Sequence, residues 1–294
     1  MTDHVDVLPE ASRHPFIDQL QKAFRNNKLT GVGAVIFVLI ILVAIAAPLL
    51  APHDPLQQHI IARLKGPSAE YWFGTDAYGR DILSRLLYGA RVSLVISLTA
   101  IGLAMVIGSI IGIIAGYFGG MIDLALMQVM DVLLAFPALI LGLIVVAMLG
   151  PSMENLIIAI ALTAIPPFAR TARAPTIAVK ERDYIEACRA LGFGHPRIIV
   201  RHIFPNVLSE VLVMGSLWLA TAIRVEASLS FIGLGVKPPT ASWGGMIREG
   251  FENILDNVWL SVCPSMAILL VVFSLNLLGD GLRDAIDPKT RSDS

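Results

Sequence analysis

The chain has 294 residues, of which 55% are hydrophobic and only 15% charged, against about 25% charged in an ordinary soluble domain. A mean hydropathy of +0.73 leaves too little polar surface for a cytosolic enzyme or a disordered chain. A net charge of −1 argues against a nucleic-acid partner, and two cysteines, Cys188 and Cys263, are too few for a disulfide scaffold. The composition is that of an integral membrane protein, surrounded by lipid.

In chain order, residues 1–28 read as a polar tail. Its acids Asp3, Asp6, Glu10 and Asp18, and the long apolar run from Leu29 to Ala51, do not fit a cleaved signal peptide, whose apolar core is about 7–15 residues. Residues 29–52 therefore read as a retained first transmembrane helix, since about 20 residues cross a hydrocarbon core of about 30 Å. Residues 53–91 follow as an extracytoplasmic segment. Residues 92–280 hold five more apolar runs: Val92 to Ile122, Val132 to Met153, Asn155 to Ala169 ending in Pro166-Pro167, Val211 to Ile223, and Asn257 to Gly279. The fourth and fifth spans need polar residues at their ends to reach full length. Phe136-Pro137 marks a kink. Residues 281–294 read as a second tail. The expectation is an all-α protein of six transmembrane helices.

Lys and Arg set the orientation. One side carries four in the leader, seven in the loop 170–206 and three in the tail, which makes 14. The other side carries seven, in 52–91 and about 228–256. This bias predicts that both termini and the 170–206 loop are cytoplasmic. Cys188 in that loop and Cys263 in a span then have no route to a native disulfide.

Motifs for chemistry are missing. There is no G-x-x-x-x-G-K-[ST] phosphate loop, no H-E-x-x-H, no paired C-x-x-C and no arguable Ser-His-Asp set. Catalytic residues and metal ligands are thus expected to be none. His195 and His202 share one loop but have no thiolate or carboxylate at ligand spacing, and read as surface histidines.

The 170–206 loop is the most informative stretch. Asp183 is an N-cap candidate for a short helix through Leu191, with Ile185, Cys188 and Leu191 on one face. Gly192 and Gly194 can end it, Pro196 suits the first turn of a second short helix, and Pro205 precedes the fifth span. Such a hairpin either docks in a partner's groove or packs on its own bundle.

Polar groups inside the spans are the remaining candidates. Asp131 reads as a structural partner for a neighbouring helix near the membrane surface, with a place in a translocation path as the alternative. Arg224 and Glu226, two residues apart on a helix, do not face each other. Each needs another partner: a second subunit, pore water or a substrate charge. Trp243 and Trp259, near Pro238-Pro239, read as aromatic belt residues at the outer interface.

Glu186-Ala187-Cys188, then Gly192, then Pro205 resembles the E-A-A-x3-G-x9-I-x-L-P loop of permease subunits of bacterial ATP-binding-cassette importers. Cys188, His202 and Phe204 depart from that pattern, and the H-I-F-P-N ending resembles its peptide and nickel branch. Gly74-Thr75-Asp76, Gly79-Arg80-Asp81, Tyr88 to Leu94, Leu229 to Gly235, Trp243-Gly244 and Asn276 to Asp284 resemble the same branch, in order, over about residues 25–290. The resemblance is to its C-type permease, that of dipeptide, oligopeptide, glutathione and nickel importers.

That resemblance implies a type I importer permease fold in a bacterial inner membrane. It implies a heterodimer with a homologous second permease, two cytoplasmic ATP-binding subunits and an extracytoplasmic substrate-binding protein. No cofactor is expected in this chain; ATP and Mg belong to the partner ATPases. By resemblance, Glu186, Ala187, Cys188, Gly192 and Pro205 belong to the ATPase-coupling loop. Arg224, Glu226 and Asp131 are candidates for the translocation path, and Trp243, Pro238 and Pro239 for a binding-protein contact. Peptides are the favoured cargo, with glutathione, nickel chelates and opines as variants. A secondary transporter would show internal repeats, and a polytopic enzyme would cluster polar residues on one face; neither pattern is visible.

Overall fold

The computed structural model describes residues 28–286. The leader before Lys28 and the tail beyond Ile286 lie outside the described residues. Among those described, the elements are helical: α1 Lys28–Ile45, α2 Ala47–Leu50, α3 Ile82–Phe118, α4 Gly120–Leu134, α5 Ala138–Leu149, α6 Met153–Lys180, α7 Asp183–Ala190, α8 His195–Ile198, α9 Phe204–Ile232, α10 Trp243–Glu252 and α11 Trp259–Ile286. Five continuous helical segments are long and apolar enough to cross a membrane: α1, α3, α6, α11, and α8 through α9. The bent pair α4–α5 makes a sixth if it counts as one span.

Several boundaries move from the sequence expectation. α3 begins ten residues before Val92, because Asp81 caps it: its carboxylate accepts from Ser84 N at 2.9 Å and from Ser84 Oγ at 2.6 Å. The last ten residues of the expected 53–91 segment are therefore helix. α6 does not stop at Pro166-Pro167 but runs through them and through Pro175 to Lys180, so the expected 170–206 loop begins with about three turns of helix. Proline is tolerated in a buried span where neighbouring helices hold the backbone, and α6 packs against α3, α5 and α9. α11 likewise continues past 280 into the segment expected to be a tail.

The kink expected at Phe136-Pro137 is a break. α4 and α5 meet at 89°. Pro137 has no N–H to donate, and it disfavours helical geometry at Phe136. Beyond α5, Asn155 Nδ2 donates to the carbonyls of Leu149 and Gly150 at 3.0 and 2.9 Å, closing the turn into α6.

α3 and α6 form the packed centre. Gly108, Gly112 and Gly116, one turn apart on α3, face α6 so closely that no side chain fits. A Cβ at Gly108 would sit 2.6 Å from Ile165 O and Phe168 Cβ, and one at Gly116 2.9 Å from Arg173 O. Small residues at this spacing let two backbones touch. Phe168, Ala169 and Ala172 of α6 are fully buried there. α1 closes on α11 by the same device at Gly33, where a Cβ would lie 2.7 Å from Leu277 Cβ. The outward faces stay apolar, with Val35, Leu39, Leu103, Val106 and Leu269 exposed, as lipid requires.

Candidate functional site

The two ends of the bundle carry different polar structures. At one end, α6 leads through Glu181 and Arg182 into α7 and α8. Residue 182 rather than Asp183 holds the N-cap position, and α7 ends at Ala190. Ile185 is fully buried and Cys188 half-buried, whereas Leu191 is 74% exposed, so the predicted apolar stripe packs through its first two members only. Glu186, Ala187, Gly192 and Pro205 are exposed. Gly192 adopts φ +80°, a left-handed turn that suits glycine. The second short helix does not end before the fifth span: α8 passes through a π turn at Ile199–Ile203 directly into α9.

This hairpin is tied to the bundle. Tyr117 Oη, in the last turn of α3, hydrogen-bonds His195 Nδ1 at 2.8 Å. The Arg189 guanidinium lies 5.9 Å from the Tyr117 ring centroid. Cys188 Sγ sits 3.8 Å from His202 Nε2. The histidines lie at the surface as expected, but each has a partner that spacing did not reveal.

Asp131 pairs with Arg170 across α4 and α6, Nη2 to Oδ1 at 2.6 Å, with both side chains 55% exposed. Asp123 and Arg173 form a second, two-pronged pair on the same two helices at 2.6 and 2.5 Å. Asp131 thus has the helix partner that the sequence reading favoured. Arg224 and Glu226 diverge as their spacing demands. Arg224 is exposed and donates to Thr221 Oγ1 at 3.0 Å. Glu226 is fully buried, and its Oε1 accepts from Ser230 Oγ at 2.8 Å. A fully buried Glu226 does not face an open path in this chain, which corrects its place among pore-facing candidates.

At the opposite end, residues missed as a site form a buried charged clamp. Asp76 accepts from the backbone of Tyr78 and Arg80 at 2.8 and 2.9 Å and from Arg80 Nε at 2.5 Å. Arg85, in the first turn of α3, reaches the same carboxylate at 3.1 Å. Glu249 of α10 closes the set, 3.3 Å from Arg80 and 3.4 Å from Arg85, and accepts from Ala77 N at 3.3 Å. Burial and the neighbouring Asp76 push the Glu249 carboxyl above the ordinary carboxylate range, against the pull of Arg85 and Arg80. Asn257 bridges the carbonyls of Lys65 and Thr75 at 3.1 and 3.0 Å. The four-residue spacing of Asp76 and Arg80 was a legible signal; Glu249, far away in sequence, was not.

Trp243 is corrected outright. It is only 2% exposed, inside the core, donating Nε1–H to Leu86 O at 3.1 Å. It is neither a belt residue nor available to a partner on this surface. Trp259 is 42% exposed, and Pro238 and Pro239 are exposed on the loop before α10.

Residues 108–292 match the family model described as binding-protein-dependent transport system inner membrane component. The chain belongs to that family. Residues 18–67 also match the N-terminal TM domain of oligopeptide transport permease C. The chain is 41% identical to the dipeptide transport system permease protein DppC of Alkalihalophilus pseudofirmus, over 99% of this chain and 97% of the relative. It is 42% identical to the glutathione transport system permease protein GsiD of Pectobacterium atrosepticum, over 97% and 95%. Among solved structures, an inward-facing form of the MetNI methionine ABC transporter aligns with TM-score 0.56 at 17% identity, covering 70% of this chain and 98% of that one. The fold is that of a type I importer permease, and the protein is an inner-membrane component. Its family consists of permease subunits, which are not themselves enzymes.

Proposed function

We propose that this chain is one of two pore-forming permeases in an ATP-driven importer of peptides, with dipeptides or oligopeptides as cargo and glutathione, nickel chelates or opines as related possibilities. The dipeptide and glutathione relatives support the cargo class. The Lys and Arg bias puts the α7–α8 end in the cytoplasm and the α10 end outside. The observation that carries the reading is the α7 hairpin. It presents Glu186, Ala187 and Gly192 to solvent while Ile185 and the Tyr117–His195 bond fix it to the bundle. A short rigid element held this way converts closure of an attached ATPase into displacement of the spans. A homologous second permease, two ATPases carrying ATP and Mg, and an extracytoplasmic binding protein complete the assembly.

The test is Gly192→Pro. Proline holds φ near −65°, whereas this position needs +80°. Binding-protein-dependent uptake in vesicles should be lost while the chain still inserts and accumulates at the wild-type level. Normal uptake by that variant would overturn the coupling role.

A further inference from the structure

The clamp at the α10 end borders a cavity of about 530 Å³. Its charged lining is Arg80, Arg85, Lys237, Arg248, Glu249 and Glu252, with the exposed Pro238 and Pro239 at its edge. Asp76 lies beneath, ion-paired with Arg80 and Arg85. Glu249 is shared by the same two arginines, and Arg248 Nε holds Glu252 at 3.1 Å. Four cations therefore meet three carboxylates. The surplus cation is Lys237, which is exposed and, among the described residues, has no ion-pair or hydrogen-bond partner. The floor has a matching deficit of acceptors: Arg85, whose side chain is 5% exposed, leaves Nη1 buried without a hydrogen-bond partner. Buried guanidinium donors are ordinarily satisfied.

We propose that this cavity receives one carboxylate side chain of the extracytoplasmic binding protein, held first by Lys237 at the rim. The inference rests on the importer reading above, which supplies that partner and places this end outside. The cavity is one acid short, so a single Asp or Glu balances it. The loop that carries Lys237 joins α9 to α10, and α10 supplies Glu249 to the arginines that open α3. A docked acid is therefore felt at the start of the 37-residue helix.

The experiment uses the whole complex in vesicles, with ATPase rate followed against binding-protein concentration. Lys237→Glu should raise the half-stimulating concentration at least about fivefold and flatten its dependence on salt, because it replaces an attraction for the docking acid with a repulsion. Lys237→Arg should keep the wild-type value. Arg63→Glu, an exposed cation of the same end outside the cavity, should also keep it. A Lys237→Glu value within twofold of wild type, or an equal loss in Lys237→Arg or Arg63→Glu, overturns the proposal. So does an effect seen with free-acid peptide but absent with amidated peptide, which would assign the cavity to cargo. If the wild-type complex shows no binding-protein-stimulated ATPase at all, the importer reading is what has failed.

Discussion

Alanine at Gly112 should destabilise the protein, although alanine is the better helix former. On α3, Gly→Ala gains about 1 kcal/mol of helix propensity. At Gly102 of the same helix nothing lies within 4 Å of the new methyl, so that gain stands. At Gly112 the methyl collides with the Ala169 carbonyl oxygen and sits 2.9 Å from Ala172 Cβ. Overpacking costs about 1–3 kcal/mol, with the upper end expected where backbone must move. α6 cannot back away at one turn without opening its contacts at Gly108 and Gly116. Setting about 3 kcal/mol against the 1 gained gives a net loss near 2, and a difference from Gly102→Ala of about 3 kcal/mol, some hundredfold in the unfolding equilibrium. Both substitutions restrict the unfolded chain alike, so the comparison isolates the native contact. Denaturant unfolding of both variants in mild detergent measures it. A Gly112→Ala protein as stable as Gly102→Ala would refute the claim that the backbones touch there.

Three further outcomes follow from the ends of the bundle. Tyr117→Phe keeps the ring contacts but loses the 2.8 Å bond to His195, a change of about 1 kcal/mol; uptake per ATP hydrolysed should fall, and an unchanged ratio would count against a mechanical role for the bond. The folded Glu249 carboxyl takes up its proton before the unfolded chain does, so lowering the pH from neutrality toward the ordinary value of 4.5 adds stability through this group. Glu249→Gln should remove that part of the pH slope, and an identical slope in pH-dependent unfolding would refute it. Arg224→Gln should assemble normally yet weaken uptake of free-acid peptides relative to amidated ones; wild-type rates for both would remove Arg224 from the path.

The apolar runs made the order of the spans legible, and their number up to the bent α4–α5 pair, because a span is nearly continuous in sequence. Their ends were less legible. Charge-free runs stop at the first Arg or Pro, whereas α3 begins at a capping carboxylate, Asp81, and α6 carries three prolines inside a packed interface. The α7 hairpin was readable because its turn chemistry is local. The Asp76–Arg80–Arg85–Glu249 clamp and the Asp123–Arg173 pair were not, since each joins residues far apart in the chain. Trp243 shows the same limit from the other side. A tryptophan near a predicted membrane boundary suggests a belt, but Gly89 on α3 leaves room for its ring, 3.3 Å from the Cβ position, and draws it into the core.

The same glycines explain how two ends so far apart can belong to one device. At 1.5 Å per residue, the 37 residues of α3 reach about 55 Å. Arg85 anchors its first turn in the clamp, and Tyr117 anchors its last on the hairpin. Between them, α6 is seated on Gly108, Gly112 and Gly116 with backbone against backbone, and α6 reaches α7 after only two residues. Sliding one helix past the other would drive neighbouring side chains into the places the glycines leave open. A displacement of α7 must therefore carry α3 with it or break the Tyr117–His195 bond. In an importer, a ligand or a nucleotide shifts the bundle only through contacts that differ between its two states. On the importer reading proposed above, such contacts would sit in the clamp and the hairpin at opposite ends of one packed pair, and a change in either would reach the other through the close-packed backbones of α3 and α6.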